Sequence, residues 1–111
     1  MTTICVFKCN EGKYYVDITN DLGKCFEEHL SGNGPLWTDK YEPIEIIETF
    51  KKVNEYDSDK YTIQTMIKYG AENVRGKGSF DKPEFTASES SLIAYIIKSH
   101  YEKIKKNCNK T

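Results

Sequence analysis

The stretch that decides the fold runs from residue 12 to residue 32 and reads GKYYVDITNDLGKCFEEHLSG. Its first part, Lys13 to Ile18, carries tyrosine, valine and isoleucine, which favour a strand. Thr19-Asn20-Asp21 offers side chains that cap helices, and the apolar positions that follow recur three and four residues apart, which predicts a helix. The glycines and proline of Ser31 to Pro35 end that helix. This one stretch therefore predicts a strand joined by a short cap to an amphipathic helix.

The segments on either side extend this unit into a small sheet with helices. Thr3 to Cys9 is a short apolar run that predicts a strand, and the Asn10-Glu11-Gly12 turn pairs it with the following strand as an antiparallel hairpin. Apolar and polar residues alternate from Ile44 to Phe50, which predicts a third strand, and a loop containing Trp37 precedes it. The remaining predicted elements are a helix from Asn54 to Tyr69, a glycine-rich loop from Ala71 to Pro83 and an amphipathic helix from Ser88 to Lys106. The order predicts an α+β fold, in which a small three-stranded antiparallel sheet is flanked by helices and followed by a C-terminal amphipathic helix.

Composition narrows the class of protein before any motif is considered. The 111 residues fit one domain, and sixteen basic against seventeen acidic residues give a net charge of −1, which argues against a histone-like polycation. No apolar run approaches the roughly 20 residues that span a bilayer, and the first residues lack the pattern of a secretory signal. We therefore expect an intracellular protein with no membrane partner.

The four cysteines lie at positions 5, 9, 25 and 108, without the paired spacing of a zinc finger. A reducing compartment keeps such thiols free, so we expect no disulfide. Cys5 and Cys25 are predicted to be small buried residues, with Cys108 loose near the terminus.

Two blocks of the sequence resemble the GIY-YIG nuclease family, in particular its small stand-alone type found in large DNA viruses. The first block joins Thr3-Ile4-Cys5 to Tyr15-Val16-Asp17 and the following TNDLGKCFEEHLSG, and the second is KYGAENVRGKGSF from Lys68 to Phe80. The resemblance implies a GIY-YIG-like domain over residues 1–83 and a helical extension over residues 84–111, packed on the same domain or on a dimer partner. For a viral protein it also implies a place in the host cytoplasm or nucleus.

The activity that the resemblance implies is hydrolysis of a phosphodiester assisted by Mg²⁺ or Mn²⁺. Such chemistry needs a divalent cation, a base that deprotonates water and a positive charge at the scissile phosphate. Three residues match catalytic positions of the family: Tyr15 matches the second motif tyrosine, His29 a histidine of the first helix, and Asn73 the motif asparagine.

Four other family positions carry substituted residues. Cys5 replaces the first motif tyrosine, Asp17 the motif glycine and Cys25 the arginine, while the metal-binding glutamate falls near Thr62. The acids Asp57 and Asp59 lie upstream and are the candidates for that ligand. A neutral thiol cannot replace the bidentate contact of arginine with phosphate. The sequence therefore predicts a degenerate site with impaired or lost hydrolysis; the alternatives are an endonuclease with residual activity around Tyr15, His29 and an acid near Asp59, and a non-catalytic protein-interaction module.

Binding of DNA or RNA is the function that we expect to be retained when hydrolysis is lost. The predicted phosphate-binding residues are Arg75, Lys13 and Lys24, with further lysines at Lys8, Lys40 and Lys77 and stacking candidates at Trp37, Tyr14 and Tyr41. The alternative is that the lysines form a solvated surface without a binding role. Arg75, the only arginine, contacts phosphate or holds its loop to a carboxylate.

Two further hypotheses concern metal and assembly. Cys5, Cys25 and His29, with Asp17, form a candidate zinc site, because thiolate and imidazole suit Zn²⁺. The apolar stripe of the last helix, Leu92, Ile93, Ile96, Ile97, His100, Tyr101 and Ile104, packs on the domain or forms a homodimer.

Overall fold

The computed structural model describes residues 2–108, apart from the side chains of Tyr101 and of residues 104–108. The strands are β1 (Thr2–Cys9), β2 (Tyr14–Thr19), β3 (Pro43–Val53) and β4 (Val74–Gly76). The helices are α1 (Leu22–Leu30), α2 (Leu36–Lys40), α3 (Ser58–Tyr69) and α4 (Ala87–Cys108). Short 3-10 turns lie at Asn10–Gly12, Glu55–Asp57 and Ala71–Asn73.

The sheet is four-stranded and mixed, in the order β3-β1-β2-β4, which corrects the predicted three-stranded antiparallel sheet. The predicted hairpin and third strand are present, because β1 pairs antiparallel with both β2 and β3. The addition is β4, which pairs parallel to β2 and lies within the segment predicted as a glycine-rich loop. A strand of three residues is too short to show the alternation by which strands are recognised. The predicted loop around Trp37 is likewise wrong, since this residue lies in α2.

Strand alternation divides the core into two apolar clusters, one on each face of the sheet. The first cluster joins β1, β2 and β4 to α3 and α4, with Ile4, Val6, Val16, Ile63, Met66, Val74 and Ile93 buried. The second joins the opposite strand faces to α1 and α2, with Cys5, Phe7, Cys9, Tyr15, Cys25 and Trp37 buried. Three of the free thiols are therefore core residues, as predicted for Cys5 and Cys25. This second face carries the residues singled out by the motif.

The last helix begins with a capping box. Thr86 Oγ1 accepts from the backbone N–H of Glu89 at 3.1 Å, and Glu89 Oε1 accepts from that of Thr86 at 2.9 Å. Ile93 is 3% exposed in the first cluster, whereas Leu92 is 58% exposed. The division at residue 83 and the homodimer stay predictions.

Two remaining sequence predictions concern the C-terminal end of the chain and the membrane. The side chains of Tyr101, Ile104 and Cys108 lie outside the described residues. Within residues 2–108, no helix combines the length and apolar character needed to cross a bilayer.

Candidate functional site

A buried network of four polar side chains lies between β2, α1 and α2. Asp17 accepts two hydrogen bonds at one oxygen, Oδ2, from His29 Nε2 at 2.7 Å and from the Cys25 thiol at 3.2 Å. Its Oδ1 accepts a backbone N–H at 2.7 Å. His29 Nδ1 lies 2.8 Å from Thr38 Oγ1. Asp17, Cys25, His29 and Thr38 together form the Asp17 network.

Local structure brings these four side chains together. Asp17 lies on the face of β2 that packs against α1, and Cys25 and His29 stand four residues apart on that helix, on one face. The turn after α1 passes close to the imidazole, because a Cβ built on Gly34 would lie 2.7 Å from His29 Nδ1. Glycine at this position therefore allows α2 to deliver Thr38 to His29.

Hydrogen-bond directions indicate that His29 carries both ring protons. The Thr38 hydroxyl donates to the Pro35 carbonyl at 3.2 Å, so its oxygen accepts from His29 Nδ1. Burial alone would raise the pKa of Asp17, but hydrogen bonds from His29, Cys25 and a backbone N–H hold it below its ordinary value. Burial alone would lower the pKa of His29, but hydrogen bonds with Asp17 and Cys25 and the charge of Asp17 raise it to about 9. At neutral pH the pair is therefore an aspartate and an imidazolium.

The Cys25 thiol keeps its proton in this network. Its hydrogen bond with Cys5, its burial and the carboxylate of Asp17 raise its pKa above the ordinary value. The ligand atoms of Asp17, Cys25 and His29 lie within 4.8 Å of one another, so this buried group could bind a metal ion. Cys5 is a neighbour rather than a member of the group, and its thiol donates to the backbone carbonyl of Asp17 at 3.7 Å.

The motif tyrosine Tyr15 lies beside the network and contacts an acid that the sequence did not identify. Its hydroxyl donates to Asp81 Oδ1 at 2.8 Å, and its ring centre lies 5.4 Å from that of His29. Burial raises the pKa of Tyr15, and the charges of Asp81 and Asp17 raise it further, so the hydroxyl stays protonated. Burial also raises the pKa of Asp81. Asp81 was missed because it lies in the glycine-rich loop, with no motif around it.

The three residues considered for the metal-binding carboxylate are engaged elsewhere. Thr62 is fully buried on α3 and donates its hydroxyl to the Ser58 carbonyl at 2.9 Å. Asp59 and Asp57 each accept a backbone N–H, at 3.0 and 3.3 Å. Mg²⁺ binds carboxylate, phosphate and water oxygens. A neutral hydroxyl that already donates to a carbonyl does not fit that ion, so the residue at the glutamate position is unsuited to Mg²⁺ or Mn²⁺.

A cleft of about 540 Å³ gathers several of the predicted nucleic-acid contacts. Its lining consists of four cationic, two acidic and three other residues: Lys13, Lys40, Arg75, Lys82, Glu72, Glu84, Trp37, Tyr41 and Pro83. The ammonium groups of Lys13 and Lys40 lie 5.5 and 5.3 Å from the Tyr41 ring centre, so the name Tyr41 cleft is used for this set. An ammonium group at this distance is attracted to the face of an aromatic ring. The residues that line the cleft thus carry more positive than negative charge, beside the ring of Tyr41.

The guanidinium of Arg75 donates hydrogen bonds to backbone carbonyls with four of its five N–H groups. They bind the carbonyls of Lys82, Ala71, Val74 and Pro83 at 2.7 to 3.1 Å. Its carbon also lies 4.4 Å from the Trp37 ring centre and 3.8 Å from that of Phe85. Of the two predicted alternatives, this geometry resembles loop holding, with carbonyls in place of a carboxylate.

Asn73, predicted to be catalytic, is joined to a predicted phosphate contact. Its Oδ1 accepts from Lys13 Nζ at 2.9 Å, and its Nδ2 donates to the Tyr69 carbonyl at 2.9 Å. Lys24 is exposed on α1, away from the residues that line the Tyr41 cleft. The roles assigned to these residues stay predictions.

Two of the three stacking candidates are occupied within the protein. Trp37 is 3% exposed and donates its indole N–H to the Tyr14 carbonyl at 2.9 Å. Tyr14 stacks on Tyr69, with ring centres 3.8 Å apart. Tyr41 is half-buried and borders the cleft, which makes it the ring best placed to meet a base.

Comparison with known proteins relates part of the chain to UPF0213 proteins. The chain is 41% identical to a UPF0213 protein of Xanthomonas campestris over 39 residues, which are 35% of this chain and 38% of the relative. It is 36% identical to a UPF0213 protein of Bacillus pumilus over 62 residues, which are 54% of this chain and 63% of the relative. The chain therefore spans less than two thirds of the length of these curated relatives. UPF0213 homologues are GIY-YIG-type and nuclease-like.

Other comparisons find no match. No protein-family model matches the chain, and no solved structure does. Because the relatives named above are bacterial, the viral setting stays a prediction.

Proposed function

We propose that this chain is a GIY-YIG-like domain that binds nucleic acid and whose nuclease site is degenerate, with phosphodiester hydrolysis impaired or lost. The similarity to UPF0213 proteins supports the nuclease-like origin. The observation that carries the loss of hydrolysis is the closed Asp17 network, in which the side chains of Asp17 and His29 are 11% and 3% exposed. Their hydrogen-bonding atoms are all engaged within the protein.

The chemistry of the network explains the expected loss. A nuclease needs a positive charge that contacts the phosphate and a base that accepts a proton from water. Cys25 offers a neutral thiol where the resemblance has arginine, and the Asp17 carboxylate adds a negative charge that repels a phosphate. His29, as an imidazolium, has no free nitrogen to accept a proton. Together with the poor fit of Thr62 to Mg²⁺, these features oppose each step of the family reaction.

The Tyr41 cleft supports retained binding of nucleic acid. Lys13 and Lys40 offer ammonium groups at its edge, whereas the ammonium group of Lys82 is paired with Glu89 at 2.9 Å. Neutralising phosphates with lysine releases counterions, which favours binding. The half-buried Tyr41 ring has both of these ammonium groups within 5.5 Å of its centre and is a platform on which a base can stack.

Incubation with supercoiled plasmid tests the loss of hydrolysis. The wild-type chain, with Mg²⁺ or Mn²⁺, is expected to leave the plasmid supercoiled. Tyr15→Phe removes the hydroxyl that contacts Asp81, and Tyr14→Phe is its matched control on the neighbouring position. Nicking that requires the metal and persists in Tyr14→Phe but not in Tyr15→Phe would overturn the proposal.

Fluorescence anisotropy with labelled single-stranded DNA and RNA tests binding. Affinity is expected to fall with rising salt, and Lys40→Gln is expected to reduce the slope of log affinity against log salt by about 0.7 for one lost phosphate contact. Lys60→Gln, an exposed lysine outside the cleft, is expected to keep the wild-type slope. Affinity that does not change with salt, or equal slopes in the two variants, would contradict binding through the cleft.

An endonuclease with altered chemistry is the second candidate. The contact that favours it is the Tyr15–Asp81 hydrogen bond, which sets a carboxylate beside the motif tyrosine. Asp81, rather than Asp59, would then be the acid of the site. The plasmid experiment distinguishes this candidate from the degenerate nuclease.

A further inference from the structure

We propose that Asp17 Oδ2, Cys25 Sγ and His29 Nε2 bind one zinc ion. The three atoms lie within 4.8 Å of one another, with the oxygen 2.7 Å from the nitrogen and 3.2 Å from the sulfur. In a tetrahedral zinc site, ligand atoms lie about 3.3 to 3.8 Å apart, given metal–ligand lengths of about 2.0 to 2.3 Å. A small outward movement of the three side chains therefore makes room for the ion. Zinc binding here is independent of nucleic-acid binding.

Hydrogen bonds on the far side of His29 and Asp17 fix the orientation of these two ligands. His29 Nδ1 donates to Thr38 Oγ1, which leaves Nε2 directed at Asp17 Oδ2. Asp17 Oδ1 accepts a backbone N–H, which leaves Oδ2 to face His29 and the Cys25 thiol. Metal-binding histidines commonly donate their second N–H to such an acceptor, and these partners set affinity. Gly34 keeps Thr38 within reach of the imidazole, so the support is built into the turn after α1.

Charge balance favours the exchange of a divalent ion for two protons. Without metal, Asp17 Oδ2 accepts hydrogen bonds from His29 Nε2 and from the Cys25 thiol. Zinc binding displaces the Nε2 proton of His29 and the thiol proton of Cys25, and both protons leave to solvent. The charges of the resulting zinc, carboxylate, thiolate and neutral imidazole sum to zero. The buried zinc site therefore carries no net charge, and the thiolate and imidazole favour zinc over Mg²⁺.

Titration of the reduced, metal-free full chain with Co²⁺, a spectroscopic substitute for zinc, tests the site. One equivalent is expected to produce a thiolate-to-cobalt charge-transfer band, which one equivalent of Zn²⁺ then removes. In weak buffer near pH 7, about two protons are expected to be released per zinc bound. Absence of the thiolate band, or zinc binding without proton release, in the wild-type chain would overturn the proposal.

Matched variants assign the ligands. The band is expected to be lost in Cys25→Ser and kept in Cys9→Ser, a control cysteine that is also buried on this face and 1% exposed. Thr38→Val keeps all three ligands, and its zinc dissociation constant is expected to rise 10- to 100-fold. Circular dichroism confirms that each variant is folded. A band retained in Cys25→Ser, or lost equally in Cys9→Ser, would refute the assignment.

Discussion

Replacing Asp17 by asparagine is expected to cause a large loss of stability, because it removes the anion from a buried ion pair. The Asp17–His29 contact is 2.7 Å long, and its side chains are 11% and 3% exposed. Removing one partner of a buried pair costs about 3–5 kcal/mol. His29 can release its proton in the variant, so the lower end of that range applies. The rise of the His29 pKa from 6.5 to about 9 corresponds to roughly 3 kcal/mol as well.

Thermal unfolding followed by circular dichroism measures the effect, with a chelator present so that no metal contributes. A loss of roughly 3 kcal/mol corresponds to a fall in Tm of about 12 °C for a domain of this size. Glu48→Gln is the control, because the Lys68–Glu48 pair has a similar length of 2.9 Å but side chains that are 59% and 36% exposed. Exposed pairs contribute little, so its Tm is expected to stay near that of the wild type. Equal falls in Tm for the two variants would show that burial does not determine the strength of the Asp17 contact.

Three further predictions follow from individual contacts. Gly34→Ala is expected to destabilise the chain by about 1–3 kcal/mol, because the new Cβ would lie 2.7 Å from His29 Nδ1. Gly23→Ala is the control and is expected to stabilise the chain, because Gly23 lies inside α1 and its new Cβ would have no neighbour nearer than 3.9 Å. Urea unfolding compares the free energies of unfolding of the two variants. Arg75→Lys is expected to weaken the segment from residue 71 to residue 83 by about 2 kcal/mol, which hydrogen exchange would show as roughly 30-fold faster exchange in β4. Unchanged exchange would refute loop holding. Hydrogen bonds from the Thr86 N–H and Lys82 lower the pKa of Glu89 from 4.5 to about 2. The stabilisation of α4 by Glu89 is therefore complete above pH 4.5 and is lost as the pH falls towards 2. In an acid titration, the stability of Glu89→Gln is expected to depend less steeply on pH over this range than that of the wild type.

The sequence predicted those parts of the fold that local patterns determine. The hairpin of β1 and β2, the helix α1 and the long α4 follow from alternation, caps and helical spacing. It failed at β4, because three residues show no period, and the pairing of β4 depends on β2, far away in the chain. It also failed at α2, where Pro35 and Gly34 suggested a loop although Pro35 directly precedes the first turn of a helix.

The candidate site was predictable in part for the same reason. Helical spacing predicted that Cys25 and His29 share one face of α1, and the family resemblance implied that Cys5 and Asp17 join them. The ligand atoms of Asp17, Cys25 and His29 do lie together, whereas Cys5 is outside the group. Asp81 could not be found in this way, because its contact with Tyr15 spans 66 positions and depends on the path of an irregular loop. The hydrogen bonds of Arg75 could not be predicted from a motif either, since they depend on where the folded chain places the backbone carbonyls of Lys82 and Pro83.

The two substitutions at Asp17 and Cys25 act as a single change, because both side chains meet at one oxygen. An arginine at position 25 would pair with the Asp17 carboxylate in the buried site and would be held away from a substrate phosphate. With a thiol there, the carboxylate instead pairs with His29 and keeps it protonated, so the histidine cannot accept a proton from water. Under the proposed function, the carboxylate at position 17 therefore opposes both the cation and the base that hydrolysis needs. A zinc ion that replaces both protons would return His29 to its neutral form near pH 7, so the zinc site that we propose and the loss of hydrolysis that we propose rest on the same network.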